Sequence, residues 1–282
     1  MNWRLRNSQP DYHIQVRPGI GEVLVPLNPD NRQAEAPKEK VEPMPHPPSG
    51  PIKVGGKVLH SSGSYADIFP VLAQFIKPGK GDGWIIHAGA CQGVETERLY
   101  TTYWRPTIAI EPDPRNLQTL RRRLMDLQQS HPFDLKVYPF AVGEANGRVV
   151  LHQSNNNDGT PWVESNTIQE VKLHTLQSPE LNWKNSVEVG MIALDSMHEN
   201  MGRPHIHLLF SDVEGAEKRM LQGAQKMLRN TKWVFTEWSK NERYSDAMDA
   251  QQTFKMLPGK WECMAVWDHG HFSDMLVLNR DI

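Results

Sequence analysis

The segment "GDGWIIHAGACQGVETERLY", residues 81–100, runs from glycines through a short apolar stretch into Gly89-Ala90-Cys91-Gln92-Gly93. Small residues at the end of such a stretch let backbone approach a ligand closely. A dinucleotide fingerprint would need glycine where Ala88 and Ala90 stand, which disfavours NAD or FAD. Glu111, eighteen residues past Gly93, ends the next apolar run, "TIAIEP". At that spacing a carboxylate accepts both hydroxyls of a ribose. A bound adenosine without pyrophosphate satisfies both features. A plain strand-to-helix turn and a surface carboxylate satisfy them equally, and these residues alone do not separate the two.

The elements that must position these residues are legible from periodicity. "YADIFPVLAQFI" reads as an amphipathic helix leading into the strand "GWIIHAG". A helix over Val94–Tyr103, the strand "TIAIEP", the helix "PRNLQTLRRRLMDLQQ" and the strand "LKVYPFAV" follow. A polar, Asn-rich region spans 152–186, then "VEVGMIALDSMHEN", the strand "HIHLLFSDVEG", one helix over "AEKRMLQGAQKMLRN" and the strand "KWVFTEW". "WECMAVWDHGHFSDMLVLN" reads as two strands around a turn. Strands alternating with helices predict an α/β fold: a Rossmann-like, doubly wound, mostly parallel sheet with an antiparallel C-terminal hairpin. Its ligand belongs outside the carboxyl ends of the strands.

Ten of the 21 prolines fall in residues 1–52, with apolar residues only in patches such as "GEVLVPL". Such a segment buries too little surface to offset its ordering entropy, which predicts an extended Pro-rich arm or linker that orders on a protein partner. The remaining residues, 53–282, make up the folded domain. With 38% hydrophobic residues, no apolar run reaches the ~20 residues of a membrane span, so no membrane partner is expected. The polar start carries no secretion signal. Two cysteines suit a reducing, cytoplasmic setting. A formal charge of -2 gives no general attraction for nucleic acid. The run Arg121–Arg123 reads as the solvated face of a helix.

The order of six further elements resembles the FkbM-type family of S-adenosylmethionine-dependent methyltransferases. They are "GACQGVET", "IAIEPDPRNLQTLRRRL", "PFAVGEANGRVVL", "IALDSM", "DVEGAEKRMLQGAQKML" and "VFTEW", over residues 84–238. The resemblance implies an enzyme that methylates a hydroxyl of a small molecule or glycan, with S-adenosylmethionine as cofactor. Gly89, Ala90 and Gly93 would lie against the methionyl part, Glu111 would hold the ribose and Ala141 would border the adenine. His87 stands where the family has an acid that binds the cofactor's amino group. Asp212 and Glu214 would face the sulfonium, either serving as proton acceptor; capping and dipole roles at the following helix are the alternative for both. Asp195 reads as the cap of its own helix, and Glu237 as a strand-end residue that meets an acceptor or solvent. Phe210 and Ser211 stand where the family has a lysine.

His205 with His207, and His269 with His271, alternate as metal ligands can, but neither pair has a third ligand at convincing spacing, so no metal is expected. Trp233, Trp238, Trp261 and Trp267 read as sheet packing. "SNTIQE", 165–170, is placed to line an acceptor pocket. A competing reading is a noncatalytic assembly protein that keeps the fold and docks through its N-terminal arm.

Overall fold

The computed structural model describes residues 12–17, 21–26, 58–59, 68–130, 133–240, 243–269 and 271–282. Most of the expected Pro-rich arm lies outside these residues. Within it, strands β1 (Tyr12–Arg17) and β2 (Gly21–Pro26) pair antiparallel; past the arm, β3 (Val58–Leu59) adds two residues to a sheet edge.

Helix α1 (Ile68–Phe75) leads to β4 (Trp84–Ala88), α2 (Val94–Tyr103), β5 (Thr107–Ile110), α3 (Pro114–Ser130) and β6 (Leu135–Tyr138). Then come β7 (Ala141–Val142), β8 (Gly147–Asn156), α4 (His174–Gln177), β9 (Leu181–Ile192) and α5 (Leu194–Asn200). The chain closes with β10 (Ile206–Ser211), α6 (Glu217–Gln222), α7 (Gln225–Leu228), β11 (Thr231–Ser239), α8 (Ala250–Met256), β12 (Trp261–Asp268) and β13 (Phe272–Asn279).

The main sheet has the order β3-β12-β13-β11-β10-β4-β5-β6. From β6 to β11 every pairing is parallel; β13 runs antiparallel to both β11 and β12. The winding reverses between β4 and β10, where their C-terminal ends open a crevice. Strands β4, β5 and β10 are almost wholly buried along their length, as parallel strands covered on both faces must be. One apolar cluster around Ile86, Leu209 and Val234 fills one face; another around Ile85, Phe210 and Phe235 fills the other.

The structure departs from the sequence reading in three places. "LKVYPFAV" is two strands: Pro139 has no N–H to give a ladder, Phe140 N–H turns back to the Tyr138 carbonyl, and the chain leaves the main sheet. Its continuation, β7, joins β9 and β8 in a separate three-stranded sheet. Strands β8 and β9 reach into the Asn-rich region from either end, and residues 157–180 connect their tips. "AEKRMLQGAQKMLRN" is two short helices, α6 and α7, broken where Gly223 packs against the Gly143 backbone. Asp195 caps not its own helix but α7, its Oδ1 accepting the N–H groups of Lys226 and Met227 at 2.8 and 2.7 Å.

Among the described residues no helix is long and apolar enough to cross a membrane.

Candidate active site

At the C-terminal ends of β4, β5 and β10 a cavity opens between the two sheets. Gly89, Cys91, Glu111, Asn116, Ala141, Asp212 and Glu214 line it, joined by the apolar Phe140, Val142, Leu151, Val163 and Ile168. Gly89 follows β4 at φ +81°, and a Cβ there would stand 1.7 Å from the Asp212 carbonyl oxygen. Only glycine lets the β4 and β10 ends approach this closely.

Glu111 leaves β5 with 4% of its surface exposed. Its Oε2 accepts the Cys91 N–H at 2.7 Å and its Oε1 the Asp113 N–H at 2.8 Å. One carboxylate thus ties the β4 loop to the β5 loop; Asn116 Nδ2 also donates to Oε1, at 3.4 Å, and Oε2 keeps a further lone pair. Burial pushes this carboxyl up to about 8, against the pull of both backbone donors and Asn116. The Cys91 thiol is raised by burial and then by Glu111, so it stays protonated and unreactive.

The next residues build the far wall. Asp113, fully buried, accepts the Arg115 N–H as the cap of α3, with Pro114 at the first helical position. The same carboxylate pairs with the Arg115 guanidinium and receives Gln153 and Asn166 side chains. Arg115 reaches on to Asn155 and Asn166. This network clamps the small sheet and its 157–180 connection over the cavity. Of "SNTIQE", Asn166 and Ile168 line the cavity, and Thr167 Oγ1 donates to the Glu214 carbonyl at 2.6 Å.

Beyond β10 the chain turns sharply through Glu214 at φ +50° and Gly215 at φ +88°. A Cβ on Gly215 would run into the ring of Tyr244, at 2.5 Å. Glu214 Oε2 accepts the Tyr244 O–H at 2.6 Å, and the Arg243 guanidinium stands 4.0 Å away. Arg243 also meets Glu237 at 3.4 Å. Burial and then the Asp212 charge push Glu214 up to about 8. Burial pushes Glu217 up to about 7 and Glu237 well above the usual carboxylate range, with Glu214 the next cause for the latter. Neither Asp212 nor Glu214 caps α6, whose N-terminus has no side-chain cap.

The structure brings Gly89, Glu111, Ala141, Asp212 and Glu214 onto one cavity and leaves His87, Ala90 and Gly93 off it. His87 is 1% exposed; its Nδ1 lies 2.7 Å from Thr96 Oγ1 and its ring packs edge-on against Phe210. Burial holds it neutral, down to about 3. Gly93 packs on Leu120 of α3, and Ala90 is buried in the cluster beneath. Among the described residues no group of three or more His, Cys, Asp or Glu forms a metal site. Sequence reasoning missed Asn116, Val163, Tyr244, Arg243 and His174. Asn116, in the quoted "IAIEPDPRNLQTLRRRL", could have been found by its place in the first turn of α3, three residues past the cap Asp113; the others carry no local signal.

A sheet wound about one switch point, with a strand-end carboxylate on the cavity wall, defines the Rossmann-like class. Residues 87–270 match the Methyltransferase FkbM domain, and the chain belongs to that family. It is an S-adenosylmethionine-dependent methyltransferase. The 2-O-methyltransferase NoeI of Sinorhizobium fredii is 27% identical over 207 residues, covering 72% of this chain and 82% of NoeI. The N-terminal domain of EvdMO1 with SAH bound overlays with a TM-score of 0.40 at 11% identity, covering 76% of this chain and 80% of that one. The chain spans 40% of the full EvdMO1. The METTL16 MTase domain gives a TM-score of 0.44 at 10% identity, over 76% and 66% of the respective chains.

Proposed function

We propose that the chain transfers a methyl group to a hydroxyl of a sugar or another small neutral molecule, in the cavity at the β4–β10 switch point. The observation that carries this reading is the position of two carboxyls, Glu111 and Glu214, on the walls of that cavity. NoeI, by its name, methylates oxygen, which supports the same acceptor chemistry.

The wall suits the cofactor. Glu111 would take a ribose hydroxyl with the lone pair left over on Oε2. Phe140, Ala141, Val142 and Leu151 offer an apolar surface fit for a flat base. The backbone at Gly89 would approach the amino-acid portion, with Ala90 and Gly93 shaping that loop from beneath and His87 bracing it through Thr96. When bound, S-adenosylmethionine supplies an electrophilic methyl group. The protein's remaining tasks are to align a hydroxyl and take its proton.

Glu214 is suited to the second task. Its side chain keeps 15% exposure, and burial places it closer to neutrality than an ordinary glutamate, where a general base works best. Asp212 stands beside it as the electrostatic partner that raises it. Asp212 and Glu214 stand on the cavity wall and no lysine or arginine is among the described residues lining it, so a phosphate or carboxylate acceptor would be disfavoured. A neutral hydroxyl would not. The test is incubation with methyl-labelled S-adenosylmethionine and parallel panels of neutral oligosaccharides, anionic sugars and amines, read by mass spectrometry. Methyl ethers on the neutral panel are expected; label only on amines or carboxylates would overturn the reading.

A further inference from the structure

Glu214 does not meet bulk protein alone. Tyr244 Oη lies 2.6 Å from Glu214 Oε2 and 2.6 Å from His174 Nδ1, so a phenol carrying one proton stands between a carboxyl and an imidazole. Tyr244 is 1% and His174 3% exposed, which excludes solvent from both contacts. The three residues come from the β10–α6 turn, the 243–249 loop and α4.

A single phenolic proton forces a choice. When Glu214 is ionised it can only accept, so Tyr244 must donate to it, and His174 must donate from Nδ1 to the phenol oxygen. When Glu214 is protonated it can donate to Tyr244, whose own proton turns to His174 Nδ1; that nitrogen must then be bare, and the ring proton sits on Nε2. Either arrangement keeps both contacts of the phenol oxygen, to Glu214 Oε2 and to His174 Nδ1, as hydrogen bonds. Burial, and then Arg243, keep the ring itself uncharged. The Arg243 guanidinium reaches both ring nitrogens, at 3.1 and 3.5 Å, lying across the face of the ring, and no carboxylate contacts His174 to offset it.

We propose that Glu214, Tyr244 and His174 form a reversible hydrogen-bond row that lets Glu214 exist in both protonation states, with Tyr244 and His174 as positioning residues for the proton-accepting step. This rests on the assignment of Glu214 as that acceptor. In the step, the acceptor's O–H bond breaks and its proton goes to the Glu214 carboxylate. The oxygen forms its bond to the methyl carbon, and the electron pair of the breaking carbon–sulfur bond returns to sulfur. The proton afterwards leaves to water in the cavity. The groups facing Glu214 are Asp212 from its own turn, Glu217 from α6, Glu237 from β11, and Arg243 and Tyr244 from the loop; of these only Arg243 and the phenol favour the ionised form. Burial holds Glu214 up to about 8 and His174 down to about 3, so the carboxyl changes state in a range where the imidazole remains neutral.

The consequence is an imidazole that changes tautomer without changing charge. Long-range nitrogen–proton NMR of the ring in histidine-labelled full-length protein reads this without any acceptor or cofactor. His174 should carry its proton on Nε2 well below the Glu214 midpoint of about 8 and on Nδ1 well above it. In Tyr244→Phe and Glu214→Gln the switch should vanish. A ring that keeps one tautomer throughout, or becomes imidazolium near neutral pH, overturns the proposal.

Kinetics give a second reading. Tyr244→Phe removes a donor to the ionised form, so the acid limb of kcat/KM should move up by about one pH unit, the effect of one lost donor. His174→Asn, whose amide nitrogen stands in for Nδ1–H, should restore most of the wild-type midpoint that His174→Ala shifts. A merely structural role would lower rates without moving the midpoint, and that result also counts against the row. If the tautomer switch is present while Glu214→Gln keeps full methyl transfer, the row stands and the assignment of Glu214 as proton acceptor falls.

Discussion

The Gly89 Cα and the Asp212 carbonyl are in direct contact: the oxygen occupies the place a side chain at residue 89 would need, 1.7 Å from its Cβ. The first loop of the site is thus moulded on the backbone that carries the acidic turn. Gly89→Ala combines a left-handed backbone conformation, disfavoured by about 1–2 kcal/mol for a residue with Cβ, with a clash against main chain that cannot rotate away. We expect a loss of about 2–4 kcal/mol in denaturant unfolding. A variant within about 0.5 kcal/mol of wild type would show that the two loops are not packed this way.

Glu111 ties the two loops together and stands on the cavity wall. Glu111→Gln replaces one acceptor oxygen with a donor that faces a backbone N–H, and takes away an acceptor that ribose hydroxyls would meet. Leaving a buried donor unsatisfied costs about 1–3 kcal/mol, so calorimetric titration should show binding of S-adenosylmethionine and its demethylated product weakened about 10- to 100-fold. Unchanged affinity would place the ribose elsewhere.

Asp113 holds the small sheet over the cavity. Asp113→Ala leaves the partly buried Arg115 without its partner and strips Gln153 and Asn166 of theirs. Removing one partner from a buried pair destabilises by about 3–5 kcal/mol. Breaking the exposed Arg148–Glu188 pair on β8 and β9 should cost at most about 1 kcal/mol. Comparable melting temperatures for Asp113→Ala and Arg148→Ala would contradict the clamp.

Stability should peak in mildly acidic solution. Glu111, Glu214, Glu217 and Glu237 have folded-state values above the ordinary carboxyl 4.5, so the native state holds protons that the unfolded chain releases as pH rises. Their contribution is complete below 4.5 and is lost as pH climbs through about 7 to 8. His87, His174 and His207 are held down to about 3, so the unfolded chain gains protons first as pH falls below 6.5. The two trends oppose each other between 4.5 and 6.5 and act alone outside it. The melting temperature should therefore be nearly flat in that interval, declining above and below. A melting temperature that climbs from pH 6.5 to 8 would show that these carboxyls are ionised in the native protein.

Much of this was legible beforehand because strand ends announce themselves locally. The apolar runs ending at Ala88, Ile110 and Ser211 are followed at once by Gly89, Glu111 and Asp212, and in a doubly wound sheet those ends converge. Asp195 shows where local reading stops: a carboxylate in a helix's first turn looks like that helix's own aid, yet it caps α7, more than thirty residues on. The break of "LKVYPFAV" at Pro139 had a local cause, but its effect, a second sheet, did not.

Alternation of apolar runs and small residues, encoded along the chain itself, was enough to determine the winding of the sheet and the carboxylates at its edge. Only the folded chain decided which side chains share the cavity. His87 and Ala88 are neighbours in sequence, but the pleat sends the imidazole into the Phe210 cluster while the backbone beyond Ala88 turns toward the cavity. His174 and Tyr244 lie 70 positions apart and touch because α4 and the 243–249 loop are packed against the same turn. A side chain's protonation and reach follow from what surrounds it after packing, and no spacing in the chain encodes that.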